Sequence, residues 1–600
     1  MESSGSVHTE LDKQNIPEPP QKKLKKNDDD ERVSRDKVVD VVGTGSREID
    51  VGITEYVSDH ESFTGIIKQR FSDFLVNEIA LNGEVTHLTN LSKPIPETDK
   101  VVSSDLTDEQ LESLKHLEEE KDLTANVLIK VGEDKEARTR IHKTISQTYS
   151  GLRSSTETID GIKYIQVKVG KDTSRSNNWP KDKGEYCHFV MYKENRDTMN
   201  AVGAIASCLR MKPGVFQYAG TKDKRGKTVQ KISAKRVRPE RLFGLNKVLS
   251  NIKLGNFSYE KDRLQLGDLA GNHFTVVLRN CTGKEDQISK AMKSLSENGF
   301  INYFGMQRFG TSSIPTHHVG RALLHSDWSK AIDLILTARG DTGEHRDLIA
   351  CREEWTATKN AESALNKLGR LTCVESHLLS GLCKYEKNDL VHALSMIPRN
   401  TRTMYVHSYQ SYVWNNVVSR RIREHGLRLA VGDLVLPVAM EIGNDPARKE
   451  KPEPVVVTKE NLEQYTIHNV VLPLPGFDVI YPDNVKSWYE ELFEKDELNI
   501  NTLKHKVKDY SLSGSYRFMM VKPSNLSWKM FAYDDVAHPL VLSDIDRLNE
   551  ETEPVSVEGG KYKALMMEFS LPSSTYATMT IREVLRTDTS AAYQATLNTT

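Results

Sequence analysis

Strand-like alternation occurs in two groups in this chain, separated by a long stretch of helical pattern, and that order restricts the fold more than any single motif. In the first group "DFLVNEI" (Asp73–Ile79) sets Phe74, Val76 and Ile79 close to alternation. The runs "YIQVKVGK" (Tyr164–Lys171), "YCHFVMYKE" (Tyr186–Glu194) and "HFTVVLRN" (His273–Asn280) read likewise as half-buried strands. Between them Asp197 or Thr198 can cap a helix that carries Met199, Val202, Ile205 and Leu209 at helical spacing and stops before "MKPG". From about Asn302 to Tyr510 the texture turns helical, as in "HSYQSYVWNNVVSRRIREHG" with Tyr409, Val413 and Val417 on one face. Strand-like runs return in "SYRFMMVKP" (Ser515–Pro523) and "YKALMMEFSLP" (Tyr562–Pro572). Strands with one polar face, mixed irregularly with helices, predict an α+β fold rather than a doubly wound parallel sheet. The late strands are expected to rejoin the first sheet, which makes the helical middle an insertion.

A chain of 600 residues is expected to hold several domains. Residues 1–50 are rich in Ser, Pro, Lys and Asp and poor in large apolar side chains, so they read as a disordered tail. Within it "KKLKK" (Lys22–Lys26) is a basic cluster of the kind import receptors read, so the expected address is the nucleus, with the cytoplasm alongside it. A polar stretch at about 86–125 reads as an insertion with one exposed helix. The catalytic body is predicted at 51–301 and 514–600, with an inserted domain at 302–513. No run approaches the roughly 18 apolar residues of a membrane span, and the N-terminal residues have neither an apolar core nor an Arg-rich, acid-poor composition. No membrane, secretory or organellar address is expected. The six cysteines stand far apart without a C-x-x-C pair, which predicts reduced thiols. The net charge of −2 says nothing of a nucleic-acid partner, because the field depends on where the charges sit.

Where they sit is uneven. In "FQYAGTKDKRGKTVQKISAKRV" (Phe216–Val237) Lys222, Lys224, Arg225, Lys227, Lys231, Lys235 and Arg236 surround one acid, Asp223. The run ends in the G-K-T of a phosphate-cradling loop, but five residues separate Gly220 from Gly226 where that loop needs four. Asp223 would also point a negative charge into the anion nest, and "VQKISAKRV" shows no opening helix. These departures disfavour nucleotide binding. The plain alternative is a surface turn in which Asp223 merely neutralises its neighbours.

What separates these readings is a set of segments in fixed order: "AGTKDKRGKTVQ", "GNHFTVVLRN", "NYFGMQRFG", "HSYQSYVWN", "LPLPGFDVIYP", "GSYR" and "FSLPSSTYATMTIREVLR". In these the chain resembles the TruD family of pseudouridine synthases. Its long tail, the size of its inserted region and "YKENRDT" (Tyr192–Thr198) resemble the eukaryotic members. The resemblance implies a pseudouridine synthase core with a mixed sheet, an inserted TruD domain and an RNA cleft between them. It implies Asp223 as the catalytic carboxylate, with Lys68, Phe74, Asn272 and Phe274 as substrate-binding residues, and it carries Arg308 at motif level. By pattern alone Phe74 and Phe274 are core, Asn272 is a turn residue and Lys68 a solvated charge.

Pseudouridine formation detaches uracil from ribose at N1 and reattaches it through C5, with no net redox change, so neither cofactor nor metal is expected. The pair His317–His318 lacks carboxylate or cysteine partners at ligand spacing. The reaction needs an ionised carboxylate beside the sugar, and neighbouring cations favour that state while attracting phosphates. Lys222, Lys224, Arg225 and Lys227 accordingly read as phosphate contacts. One aromatic ring against an extruded uracil contributes roughly 1–3 kcal/mol, the role carried over to Phe274. Trp414 and Tyr409 read as packing on an amphipathic helix. The expected substrate is RNA: tRNA at position 13 of the D-arm, with pre-tRNA, messenger RNA and small nuclear RNA. No DNA partner is expected, and the chain is expected to be a monomer. The competing class, a non-catalytic RNA-binding protein on the same fold, is disfavoured by the intact "GTKDKR", since a binder gains nothing from an acid among its phosphate contacts.

Overall fold

The structure, a computed structural model, describes residues 46–94, 105–120, 122, 124–149, 151–170, 179, 183–310, 313–339, 344–386, 388–436 and 453–597. The Lys22–Lys26 cluster and residues 1–45 of the predicted tail lie outside the described residues, but its last residues are ordered: Glu48–Val51 form a short 3-10 helix in which the Glu48 carboxylate is buried against Arg582 at 2.6 Å.

A nine-stranded sheet organises these residues. Its main path consists of β1 (Phe74–Ile79), β2 (Tyr186–Glu194), β3 (Lys227–Lys235), β4 (Ile252–Glu260), β5 (Gly271–Arg279), β6 (Ser524–Tyr533) and β7 (Tyr562–Pro572). In space they run β6-β7-β5-β1-β3-β2-β4, with Ile66–Ile67 added to β5 and Phe216–Tyr218 added to β3. Along the path β1 and β3 are parallel and the other neighbours antiparallel, so the sheet is mixed and the fold is α+β. That parallel pair aligns Val76 with Thr228, and β5 aligns Phe274 with Val76 on one side and Phe569 on the other. One sheet face therefore gathers Phe74, Val76 and Glu78 of β1, Asn272 and Phe274 of β5, and Thr228 and Gln230 of β3, because side chains two apart share a face.

Helix α1 (Thr198–Leu209) starts where the capping residues predict, with the Asp197 carboxylate accepting from the Asn200 amide. Its Val202, Ile205 and Leu209 pack on Phe189, Ile232 and Leu254 of the sheet. The strand predicted in "YIQVKVGK" forms, at Ile162–Val169, but outside the main sheet. It is the middle strand of a separate three-stranded sheet with Asn126–Lys130 and Leu152–Ile159. The helix expected to be exposed, Asp108–Glu120, buries Leu114 and Leu117 against Ile129, Ile145 and Ile165 of this small module. Polar composition hid it because two leucines three apart suffice to dock a helix that is otherwise solvated.

Of the two late strand-like runs, "YKALMMEFSLP" becomes β7, inside the main sheet. The run "SYRFMMVKP" does not join it. Ser515–Phe518 pairs with Val470–Leu474, and Met520–Val521 with Phe300–Ile301, before the chain enters β6. The long helix α2 (Arg399–His425) buries Tyr409 and Trp414 fully. The Trp414 indole donates to the Leu472 carbonyl and the Tyr409 hydroxyl to Asp496, so both are packing residues, as the helical pattern predicts.

Beside the sheet the Arg279 guanidinium pairs with Asp73 at 2.9 Å, both side chains 0 % exposed. Asp73 also accepts from the Arg70 amide, which fixes the turn leading into β1. Removing one partner of a buried pair leaves an uncompensated charge. Asp73→Ala is expected to lower stability by about 3–5 kcal/mol in urea denaturation.

Candidate active site

Asp223 lies in the loop between Phe216–Tyr218 and β3, and the loop is tied down from beneath. The Lys222 ammonium meets the Glu78 carboxylate at 2.7 Å, each side chain 2 % exposed. The other Glu78 oxygen accepts from the Lys231 amide. The Thr198 hydroxyl accepts from the Lys222 amide and donates to Gln230, whose own amide donates to the Gly220 carbonyl. The Lys193 ammonium donates to the Asp223 carbonyl at 2.8 Å and the Lys222 carbonyl at 3.3 Å. At the far end Gly226 lies against β1, where a Cβ would come within 2.6 Å of the Phe74 carbonyl oxygen.

From above, the Lys68 ammonium pairs with Asp223 Oδ2 at 2.7 Å and lies 3.7 Å from the centre of the Phe74 ring. Lys68 itself has φ +53°, a left-handed backbone that a non-glycine residue holds at a cost of order 1–3 kcal/mol and that concentrates at functional positions. The Asp223 side chain stays 38 % exposed, and its Oδ1 takes no hydrogen bond from any described residue. The result is a carboxylate with one oxygen gripped by a cation and the other open.

Beneath Lys68 three aromatic rings form a row: Phe74 meets Phe274 edge-on at 5.9 Å, and Phe274 stacks on Phe569 at 5.5 Å. Asn272, on the same face as Phe274, has a buried Oδ1 with no hydrogen-bond partner among the described residues. The structure thus brings Asp223, Lys68, Phe74, Phe274 and Asn272 into one neighbourhood. Two of the expected substrate contacts nonetheless stand differently. The Phe74 ring is buried and its face is taken by Lys68, so it positions the cation. Phe274 is 6 % exposed and belongs to the core, as alternation alone predicts, leaving only a sliver for a nucleobase.

The predicted phosphate contacts divide. Lys222 points inward: its ammonium pairs with Glu78 and its side chain is 2 % exposed. Lys227 pairs with Asp546 at 3.0 Å with its side chain 12 % exposed. Lys224 and Arg225 are exposed at the loop tip. Arg308 stands in another neighbourhood, donating to the Ser411 hydroxyl of α2 at 3.3 Å with its guanidinium 5.9 Å from the Phe304 ring. His317 is buried, stacked on Tyr412 at 4.5 Å, and burial pushes its imidazole down to about 3. Among the described residues no group of three or more His, Cys, Asp or Glu side chains could share a metal ion. A cavity of ≈ 1100 Å³ borders Glu78, Lys231 and Tyr259, and Asp223 does not line it.

Sequence reasoning missed Glu78, Lys193 and Phe569. Glu78 and Lys193 fall in strands where a charged residue signals the solvent face, and Phe569 sits in a motif without a local mark of its own.

With this geometry in view, the family model for "tRNA pseudouridine synthase D (TruD)" matches residues 166–584. The chain belongs to the TruD family of pseudouridine synthases. Among TruD relatives it is 50 % identical over 570 residues to the human "Pseudouridylate synthase 7 homolog", covering 94 % of this chain and 84 % of that one. It is 36 % identical over 627 residues to the "Multisubstrate pseudouridine synthase 7" of Schizosaccharomyces pombe, covering 92 % of each. A crystal structure of a putative TruD from Methanosarcina mazei superposes with a TM-score of 0.52 at 22 % identity over 90 % of this chain and 97 % of that one, which shows the shared fold. The protein is accordingly an isomerase that converts uridine to pseudouridine in RNA.

Gly226 supplies a prediction about how closely the TruD loop must sit on the sheet. Gly226→Ala is expected to lift the loop off Phe74, lowering the isomerisation rate by about 10²-fold and stability by about 1–3 kcal/mol. Single-turnover rates beside thermal melting check this.

Proposed function

We propose that Asp223 is the reacting carboxylate of this pseudouridine synthase and that it acts on tRNA, at position 13 of the D-arm, and on pre-tRNA, messenger RNA and small nuclear RNA. The observation that carries the reading is the half-open carboxylate: Oδ2 held at 2.7 Å by Lys68 and Oδ1 free on a loop braced by buried lysines. A carboxylate so held is positioned to attack C1′ or to take a proton from C2′ as the N1–C1′ bond breaks. The freed uracil turns and C5 bonds to C1′, displacing the carboxylate from C1′ in the first case or with the proton returned to C2′ in the second; the C5 proton is then lost and N1 gains one, so atoms and charge balance without an added reactant. The target uridine must leave its stack, at a cost of a few kcal/mol. The unpartnered Asn272 oxygen supplies an acceptor for an N–H or hydroxyl of the extruded nucleotide, and the exposed tip cations Lys224 and Arg225 suit phosphates.

The same reading places the RNA in a cleft between a catalytic body of residues 51–301 and 514–600 and an inserted body of residues 302–513. It also assigns a monomer that works in the nucleus and the cytoplasm.

Asp223→Asn is expected to abolish pseudouridine formation on a tRNA transcript while RNA affinity stays within about threefold, since phosphate contacts dominate affinity. A variant that still isomerised uridine would remove Asp223 from the reaction.

A further inference from the structure

We infer that Lys193 is a positioning residue for the isomerisation: its ammonium, buried under the loop, holds the Asp223 main chain where the carboxylate can meet the anomeric carbon. The inference rests on the reading of Asp223 as the reacting group.

Lys193 stands on β2, aligned with Thr228 of β3 and Ile252 of β4, and it is 0 % exposed. Its Nζ donates to the carbonyls of Arg196 at 2.7 Å, Asp223 at 2.8 Å and Lys222 at 3.3 Å. An ammonium has three donors, and here each faces a main-chain oxygen. Two of those oxygens belong to the catalytic loop and the third to the turn that opens α1, so one group joins the loop to the fold. No carboxylate lies within bonding distance of this ammonium among the described residues, in contrast to Lys222 on Glu78 and Lys68 on Asp223. A cation buried without an ion-pair partner is costly, and side chains of this kind cluster where the reaction needs them.

The groups facing Lys193 are few. Asp223 from the loop and Asp197 from the cap of α1 favour its charge, and Lys222 opposes it. Burial, with Lys222 acting in the same direction, outweighs the two carboxylates and pushes the ammonium down to about 8. Below that pH Lys193 is charged and satisfies all three carbonyls. Above it the neutral amine keeps two N–H groups, so one of the three carbonyls loses its donor and one positive charge beneath Asp223 is lost. The effect on folding has the opposite sign. A lysine whose folded pKa lies below its unfolded one binds its proton more readily when unfolded, so between about 8 and the ordinary value of 10.5 its contribution to stability rises with pH. Loss of rate without loss of stability separates a positioning role from a merely structural one.

The test uses the full chain and a tRNA transcript with uridine at position 13. Single-turnover rates at saturating RNA, dissociation constants and melting temperatures are measured on either side of pH 8 for the wild type, Lys193→Met, Lys193→Arg and Asp223→Asn. The wild-type rate is expected to fall as pH rises through about 8 while the dissociation constant holds. Lys193→Met is expected to lose about 10²-fold in rate at neutral pH with affinity within about threefold, and to show no further decline above pH 8. Lys193→Arg keeps a charge that does not titrate in this range, so it is expected to exceed Lys193→Met and to stay level with pH. A wild-type profile flat through pH 8, or a Lys193→Met enzyme at the wild-type rate, overturns the inference. If Lys193→Met does not fold, Lys193→Arg decides: a rate that falls through pH 8 as the wild type's does overturns the inference. Asp223→Asn separates the two readings: an active Asp223→Asn sinks the assignment of Asp223, whereas an inactive one beside a wild-type-like Lys193→Met sinks only the role of Lys193.

Discussion

The Lys222–Glu78 ion pair is the constraint around which the site is arranged. Burying Lys222 at 2 % exposure is costly unless its charge is compensated, and Glu78, held by β1 and by the Lys231 amide, compensates it. Once Lys222 points inward, its neighbour Asp223 presents its carboxylate to solvent. The inward lysine thereby anchors the loop, and the outward aspartate is left available for chemistry.

The pairing exists only because β1 and β3 are parallel neighbours. Parallel strands need a long crossover, and here the chain between them makes the small three-stranded module, β2 and α1 before it returns. That route sets Phe74 under Gly226 and Glu78 under Lys222, while Thr198 of α1 reaches the same loop. On the other side β7 arrives from far along the chain and stacks Phe569 on Phe274. The segments that compose the site are contiguous in space and scattered in sequence, and the sheet joins them.

Electrostatics divides the basic run into distinct jobs. Lys222 is spent internally on Glu78, Lys227 on Asp546, and Lys235 and Arg236 both on Glu185. Lys224 and Arg225 at the tip remain exposed. The cation that grips the Asp223 carboxylate comes from outside the run altogether: Lys68, in a strained left-handed turn over the Phe74 ring. A local count of charges thus overstates the loop's attraction for RNA and misses the group closest to the carboxylate.

By itself the sequence determined the α+β class, the cap and extent of α1, the strands β1, β2 and β5, the burial of Tyr409 and Trp414, and the singular acid among cations. Each of these is a local property, readable from alternation, helical spacing or a capping residue. It did not determine that Ser515–Phe518 would leave the main sheet while Ser524–Tyr533, largely exposed at its edge, would join it. Nor did it show that Lys193 and Glu78 are buried, since a charge in an alternating strand reads as solvent-facing until a loop covers that face. Only the tertiary structure decided which lysine grips Asp223, which is buried beneath it and which meets solvent, because burial is set by what packs on both faces of a sheet and not by the residues along one strand.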